Sequence, residues 1–247
     1  MKTLPLLLAL ALGGEADFND ETLHKTGKYR LELPSEQSPS KANKSKREPW
    51  LLVFFHGAGG GGSYDSFMPE LKSAAAGRDV AILAVQAPNH AKSWADPFDG
   101  LSQRHDVYLN DLLKRKIYAQ NPQLSPKRTV FIGVSAGATF IGGDLLPNHI
   151  KSYEGGAILL CGGAPPRATT DGSAFQKLSD AQTKTFKFYF SINIGDFLAN
   201  QAYAGSEYWE WRGIKMKIKD FPGNGHCSFD MRKAVEEGLD HIGVPKV

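Results

Sequence analysis

The sequence predicts an α/β fold, with a mostly parallel sheet flanked by helices. Three observations lead there. Largely continuous apolar runs recur at Leu51–Phe55, Val80–Val85, Val130–Ile132, Ala157–Leu160 and Phe186–Ile194, as strands covered on both faces require. Helical patterns lie between them: Asp106–Tyr118 gathers Val107, Leu109, Leu112, Leu113 and Ile117 near one face, with Asp106 able to cap its start. The composition is that of an ordinary globular domain, 41% hydrophobic and 22% charged over 247 residues. Strands alternating with helices imply crossover connections, which put ligand sites beyond the carboxyl ends of the strands.

The elements follow in order. Met1–Ala16 has a positive Lys2, an apolar run from Leu4 to Leu12, and a small-x-small ending at Ala16, the order of a secretory signal. The expectation is a removed leader over 1–16, a single domain over 17–247, and a secreted or periplasmic product. No other segment is long and apolar enough for a membrane span, so no stable membrane association is expected. Lys28–Leu33 alternates polar and apolar residues and reads as a half-exposed strand ended by Pro34. Ser35–Glu48, with Lys41, Lys44, Lys46 and Arg47, is a solvated loop by composition. Ile214–Phe221 alternates as a last strand, and a final helix runs from Ser228 to Leu239 before His241 and Gly243. The net charge of +3 is small and scattered, which argues against a nucleic-acid surface. Oligomeric state is not written in the sequence.

Thr129–Ile132 runs directly into Gly133-Val134-Ser135-Ala136-Gly137, followed by Ala138-Thr139-Phe140-Ile141. This is G-x-S-x-G between a buried strand and a helix, where the turn is tight enough to demand small flanking residues. It holds the serine at a helix start, where peptide N–H groups favour developing negative charge. The Leu51–Phe55 strand likewise runs into His56-Gly57-Ala58-Gly59-Gly60-Gly61-Gly62. Gly57, Gly59 and Gly62 satisfy G-x-G-x-x-G, but the next strand ends at Val85-Gln86-Ala87 with no acid for a ribose, and no Gly-Lys-Ser/Thr follows. The loop suits half of an oxyanion hole, with Ala58 N–H as one donor and Ala136 N–H as the other.

A serine nucleophile needs a base, and the base an orienting acid. Of seven histidines, none form an H-x-x-x-H pair, so neither a metal nor another cofactor is expected. His226, in Pro222-Gly223-Asn224-Gly225-His226 after the last strand, is the candidate base, and His56 supports its own loop. Asp196, just past the Phe186–Ile194 strand, completes the order Ser, Asp, His. Asp171, Asp180 and Asp220 are its competitors. Trp94 and Trp209 are candidate substrate contacts, together with Phe98, Tyr203, Tyr208 and Trp211.

These residues resemble the α/β-hydrolase superfamily, and more narrowly secreted esterases related to polyhydroxybutyrate depolymerases, feruloyl esterases and acetylxylan esterases. The likeness rests on His56–Gly60, Asp106-Val107-Tyr108-Leu109 leading to Ser125-Pro126-Lys127-Arg128, the Ser135 turn, Gly195-Asp196 and Gly225-His226. Some fungal feruloyl esterases and tannases carry a cysteine before the nucleophile, bonded to one after the histidine. Here Cys227 follows His226, but Val134 precedes Ser135. In the family fold Cys161 would end the neighbouring strand, which implies a Cys161–Cys227 disulfide restraining His226 and closing a loop of about 65 residues.

The resemblance implies ester hydrolysis through an acyl-enzyme on a small-molecule or polymer ester: short-chain, acetylated or feruloylated polysaccharide, or polyester. The connection from Leu160 to Phe186 is too short for a large helical lid. A serine peptidase or thioesterase would use the same triad, and a non-catalytic binding protein would keep only the fold.

Overall fold

The computed structural model describes residues 14–34, 48–95, 104–167 and 172–247. They build a sheet in the order β1-β2-β4-β3-β5-β6-β7-β8, with β1 Gly14–Asp20, β2 Lys25–Glu32, β3 Trp50–Phe55, β4 Val80–Val85, β5 Thr129–Val134, β6 Gly155–Leu160, β7 Phe186–Asn193 and β8 Lys215–Phe221. From β4 to β8 every pairing is parallel, while β1–β2 and β2–β4 are antiparallel. The α/β expectation holds.

The apolar runs divide their side chains between two cores. Leu51, Val53 and Phe55 of β3 face one layer, and Leu52 and Phe54 face the other. The first layer is α2 (His105–Asp111) with its π-helical continuation Leu112–Tyr118, α3 (Ala136–Phe140), α4 (Leu146–His149) and α6 (Ala199–Trp211). α1 (Met68–Ala74) and α7 (Met231–Ile242) form the second layer. Each fully buried Leu, Ile or Phe contributes about 1.5–3 kcal/mol, so a strand covered on both faces anchors the chain strongly. The central strands β3 and β5, buried along nearly their whole length, therefore make a rigid base for whatever follows their carboxyl ends.

Several boundaries differ from expectation. β1 begins at Gly14, inside the expected leader: Gly14, Glu15 and Ala16 pair with Leu31, Arg30 and Tyr29. Glu15 also accepts from Lys28 Nζ at 2.6 Å and Tyr64 Oη at 3.0 Å, and those bonds hold its carboxyl below the usual range. A cut after Ala16 would remove three of the seven residues of β1, and residues 1–13 lie outside the described residues. Asp106 is not a cap. It sits in the first turn of α2, accepts from Asn148 Nδ2 at 3.0 Å and lies 3.1 Å from His149 Nε2. α7 is capped by Asp230, which accepts from Lys233 N, and it runs beyond Leu239 to Ile242 before Gly243 turns left-handed at φ 98°.

The Lys41–Arg47 loop lies outside the described residues. The β6–β7 connection carries a short 3-10 turn, Gly172–Phe175, and α5 (Asp180–Thr185), with 168–171 not described. No helix among the described residues is long and apolar enough to cross a membrane.

Candidate active site

Four loops converge beyond the carboxyl ends of the parallel strands. β5 turns into α3 at Ser135, whose backbone (φ 53°, ψ −114°) is one that L residues rarely adopt and costs roughly 1–3 kcal/mol. Its surroundings leave no other path. A Cβ on Gly133 would lie 2.5 Å from Ala138 N, and one on Gly137 would lie 2.8 Å from His56 O. Ser135 N donates to Leu160 O at 2.9 Å, tying the turn to β6.

His226, in the loop after β8, brings Nε2 to 2.8 Å from Ser135 Oγ. Its Nδ1 lies 2.8 and 3.0 Å from the two carboxylate oxygens of Asp196, in the loop after β7. A carboxylate only accepts, so Nδ1 carries the proton and Nε2 is left to accept from the serine hydroxyl. The Asp196 carboxylate is 1% exposed and also accepts from Leu198 N at 2.9 Å and Cys227 N at 3.3 Å. Asn193 and Ser228 hold the histidine loop to the end of β7, Ser228 N donating to Asn193 Oδ1 at 2.9 Å. Of the competing acids, Asp220 accepts from Tyr203 Oη at 2.7 Å, Asp180 opens α5, and Asp171 lies outside the described residues.

Cys161 and Cys227 form a disulfide with Cα atoms 5.1 Å apart. It joins the end of β6 to the residue after His226. The sulfurs and His226 fall within 4.8 Å of one another, but disulfide sulfurs present no thiolate to a metal.

The glycine loop closes the other side. A Cβ on Gly57 would sit 3.5 Å from Ser135 Cβ, so the loop backbone abuts the serine. Ala87 N donates to His56 Nε2 at 3.1 Å, which fixes the proton on Nδ1, and Nδ1 donates to Gly57 O at 2.8 Å. Burial disfavours the charged ring and lowers its pKa. Gln86 Nε2 donates to Gly61 O at 2.6 Å, and Gly59 N to Lys92 O at 2.7 Å. Gln86, noticed in the sequence only for not being acidic, is therefore a brace of this loop. Ala58 lies between the two braced ends, while Ala136 is the first residue of α3, where amides have no intrahelical acceptor.

The two tryptophans expected to touch substrate do not reach the surface. Trp94 is 0% exposed and packs on Phe55 (ring centroids 5.1 Å) and Phe140 (4.9 Å). Trp209 is 0% exposed, stacked on Phe188 at 4.8 Å with the Arg212 guanidinium 5.4 Å from its centroid. Each ring gains more from filling the helix-sheet interface than from standing in solvent. Tyr208 Oη donates to Ala174 O, Trp211 is half exposed with Lys177 Nζ 5.3 Å from its ring, and Phe98 lies outside the described residues. An aromatic that sequence reasoning passed over is at the centre instead: the Phe197 ring lies 4.6 Å from that of His226.

A hydroxyl hydrogen-bonded to an imidazole, itself oriented by a buried carboxylate, is the arrangement that makes a serine oxygen nucleophilic at neutral pH. A sequence model described as "Alpha/beta hydrolase family" matches residues 52–216, more than half of the chain. The chain belongs to the alpha/beta hydrolase family. The match stops before His226, so that residue's place at the site of this alpha/beta hydrolase rests on geometry. No curated protein matches the sequence. Among solved structures, the fold is similar to a thermostable esterase (TM-score 0.64, 17% identity, 93% of this chain and 62% of that one). It is also similar to the Bacillus cereus carboxylesterase (0.63, 16%, 87% and 93%) and to a ferulic acid esterase (0.61, 14%, 93% and 96%). The chain thus spans less than two thirds of the thermostable esterase's length.

Proposed function

We propose that this hydrolase cleaves carboxylic esters through an acyl-enzyme on Ser135. The observation that carries the reading is the hydrogen-bonded chain Ser135 Oγ–His226–Asp196, with links of 2.8 Å on both sides of the imidazole. His226 Nε2 takes the Ser135 proton as Oγ bonds to the ester carbonyl carbon. The same proton passes to the leaving alcohol as the tetrahedral intermediate collapses, and water then repeats the sequence to release the acid. Asp196 keeps the imidazole in the accepting tautomer and stabilises its cationic form. The Ala58 and Ala136 amides stabilise the oxyanion, each such donor being worth roughly 10²–10³ in rate at comparable sites. The esterase names of the similar structures favour this chemistry over amide hydrolysis. A disulfide beside His226 fits an exported enzyme, since such bonds persist in oxidising compartments.

The test is covalent labelling with a fluorophosphonate together with hydrolysis of p-nitrophenyl acetate, an acyl thioester and an anilide. The expected result is modification of Ser135 and a preference for the ester. In Ser135→Ala, labelling is lost and turnover falls by at least ~10⁴ while the fold is kept. Full activity in the folded variant would overturn the assignment. Faster thioester or anilide cleavage would replace the ester reading with a thioesterase or peptidase.

A further inference from the structure

Phe197 is the most exposed large apolar side chain among the described residues, at 77%, yet its ring is seated on the reaction centre, 4.6 Å from the His226 ring and tilted by 40°. An exposed phenylalanine forgoes most of the stabilisation that burial gives. Nor is its position left to chance. Asp196 N donates to Asn193 O at 3.0 Å, Leu198 N to the Asp196 carboxylate at 2.9 Å, and Ala199 N to Asp196 O at 2.9 Å. Phe197 lies within this turn, so the bonds that fix the acid also present the ring.

We infer that Phe197 forms the wall of the leaving-alcohol subsite and that the enzyme prefers esters of apolar alcohols to esters of sugar hydroxyls. This rests on the ester-hydrolase reading above. The imidazole has few directions left: its Nδ1 edge faces Asp196, Nε2 faces Ser135, and the tilted Phe197 ring lies 4.6 Å away, centroid to centroid. The acyl oxygen is drawn toward the Ala58 and Ala136 amides. To receive the proton, the leaving oxygen must come within about 3 Å of His226 Nε2, so the alcohol's carbon skeleton leaves from beside the imidazole and runs along the phenyl ring. That ring supplies no hydrogen bond. Hydroxyls of a sugar alcohol laid against it would lose water without a replacement partner there, whereas an aryl or alkyl group would cover the ring.

The experiment measures kcat and KM for methyl acetate, benzyl acetate, methyl phenylacetate and an acetylated methyl xyloside, using the wild type, Phe197→Ala and Phe197→Leu. Wild-type kcat/KM is expected to favour benzyl over methyl acetate by about tenfold, the scale of a modest apolar contact. In Phe197→Ala that ratio collapses, mainly through KM, and Phe197→Leu restores much of it. The ratio of methyl phenylacetate to methyl acetate moves by less than about twofold, since the acyl side is not involved. Equal losses on both acetates would mean that Phe197 only props His226 and would overturn the proposal. So would an unchanged ratio, a loss confined to the phenylacetate, or a wild-type preference for the xyloside. A folded wild type that hydrolyses none of the four would overturn the ester-hydrolase reading itself, which separates the two failures.

Discussion

Two glycine-containing turns meet at Ser135, and they use glycine for opposite reasons. At the β5–α3 turn both glycines are sterically forced, because a Cβ at Gly133 or Gly137 would run into backbone atoms within 3 Å. In the run Gly57–Gly62 the demand is weaker: Gly59 and Gly62 have nothing within 4 Å of an added Cβ, although Gly59 is left-handed at φ 78°, Gly57 would make ordinary contact at 3.5 Å, and Gly60 and Gly61 would meet His56 and Ala91 O tightly at 3.1 and 3.0 Å. The first turn is shaped by exclusion. The second is held by hydrogen bonds from His56, Gln86 and Gly59, and at its open positions glycine leaves amides uncovered rather than avoids a clash. A count of glycines therefore says little until each is asked what it would strike.

The sharpest way to break this contrast is Gly137→Ala. The new methyl must displace the carbonyls of Phe55 and His56 or the start of α3, all backbone in the centre of the sheet. Overpacking against backbone is expected to destabilise by about 3 kcal/mol and, by separating the Gly57–Ala58 backbone from Ser135, to reduce ester turnover more than a hundredfold. Denaturant melts and steady-state rates measure the two effects. A variant with wild-type stability would show that the elbow is softer than its contacts imply.

The next effect concerns the disulfide, which fastens the histidine loop as hydrogen bonds fasten the glycine loop. Replacing both Cys161 and Cys227 by serine removes a cross-link between positions 66 apart and is expected to cost about 2 kcal/mol of stability. Turnover should fall about tenfold as His226 gains freedom, with KM little changed. Thiol titration of the denatured wild type before and after reduction, expected to show none and then two, verifies that the bond is being tested.

A smaller effect separates the braces of the glycine loop. Burial lowers the His56 pKa, so the unfolded chain binds a proton near pH 6.5 that the folded chain resists. The stability contributed by neutral His56 is therefore present above about pH 6.5 and is lost as pH falls below it. The stability gap between the wild type and His56→Gln should narrow on going from pH 7.5 to 5. His241, whose pKa is lowered by burial and by Lys187, Lys217 and Lys215, titrates in both proteins and cancels in the difference. A gap that widens on acidification would mean that the charged ring is the bound form.

How much was legible follows the same physics. Strand–turn–helix with forced glycines is a local constraint, so Ser135 was readable, and the two-faced apolar runs gave away the layers. Asp196 and His226 were readable from order along the chain, because each follows a strand whose carboxyl end must face the same way. What escaped depends on neighbours far away in sequence. Gly14–Ala16 satisfies a small-x-small pattern and also pairs with β2 as part of an edge strand, a contact that no local pattern announces. Trp94 sits in a connection and Trp209 in α6, and the burial of each is set by packing on Phe55, Phe140 and Phe188. Phe197 lies in the turn before α6, and nothing local says that this turn brings its ring to His226.

The smallest expected effect is also the one with the opposite sign. Gly62 is exposed in a 3-10 turn, Gly60–Ser63, with a backbone that does not require glycine and no atom within 4 Å of an added Cβ. Alanine there loses less conformational entropy on folding than glycine, and at a compatible site this stabilises by about 0.4–1 kcal/mol. For a domain of this size that is a rise of about 1–3 °C in Tm. Ester turnover should stay within about twofold, because the methyl enters open, exposed space with no atom within 4 Å. Gly59→Ala is the internal control: equally open, but left-handed, it should destabilise by about 1 kcal/mol. Glycine to alanine would then stabilise at one position of the loop, destabilise mildly three residues earlier, and disable the elbow on the far side of the serine. If Gly62→Ala instead slows turnover as severely as Gly137→Ala, the loop is not held by its braces alone, and its flexibility belongs to the reaction.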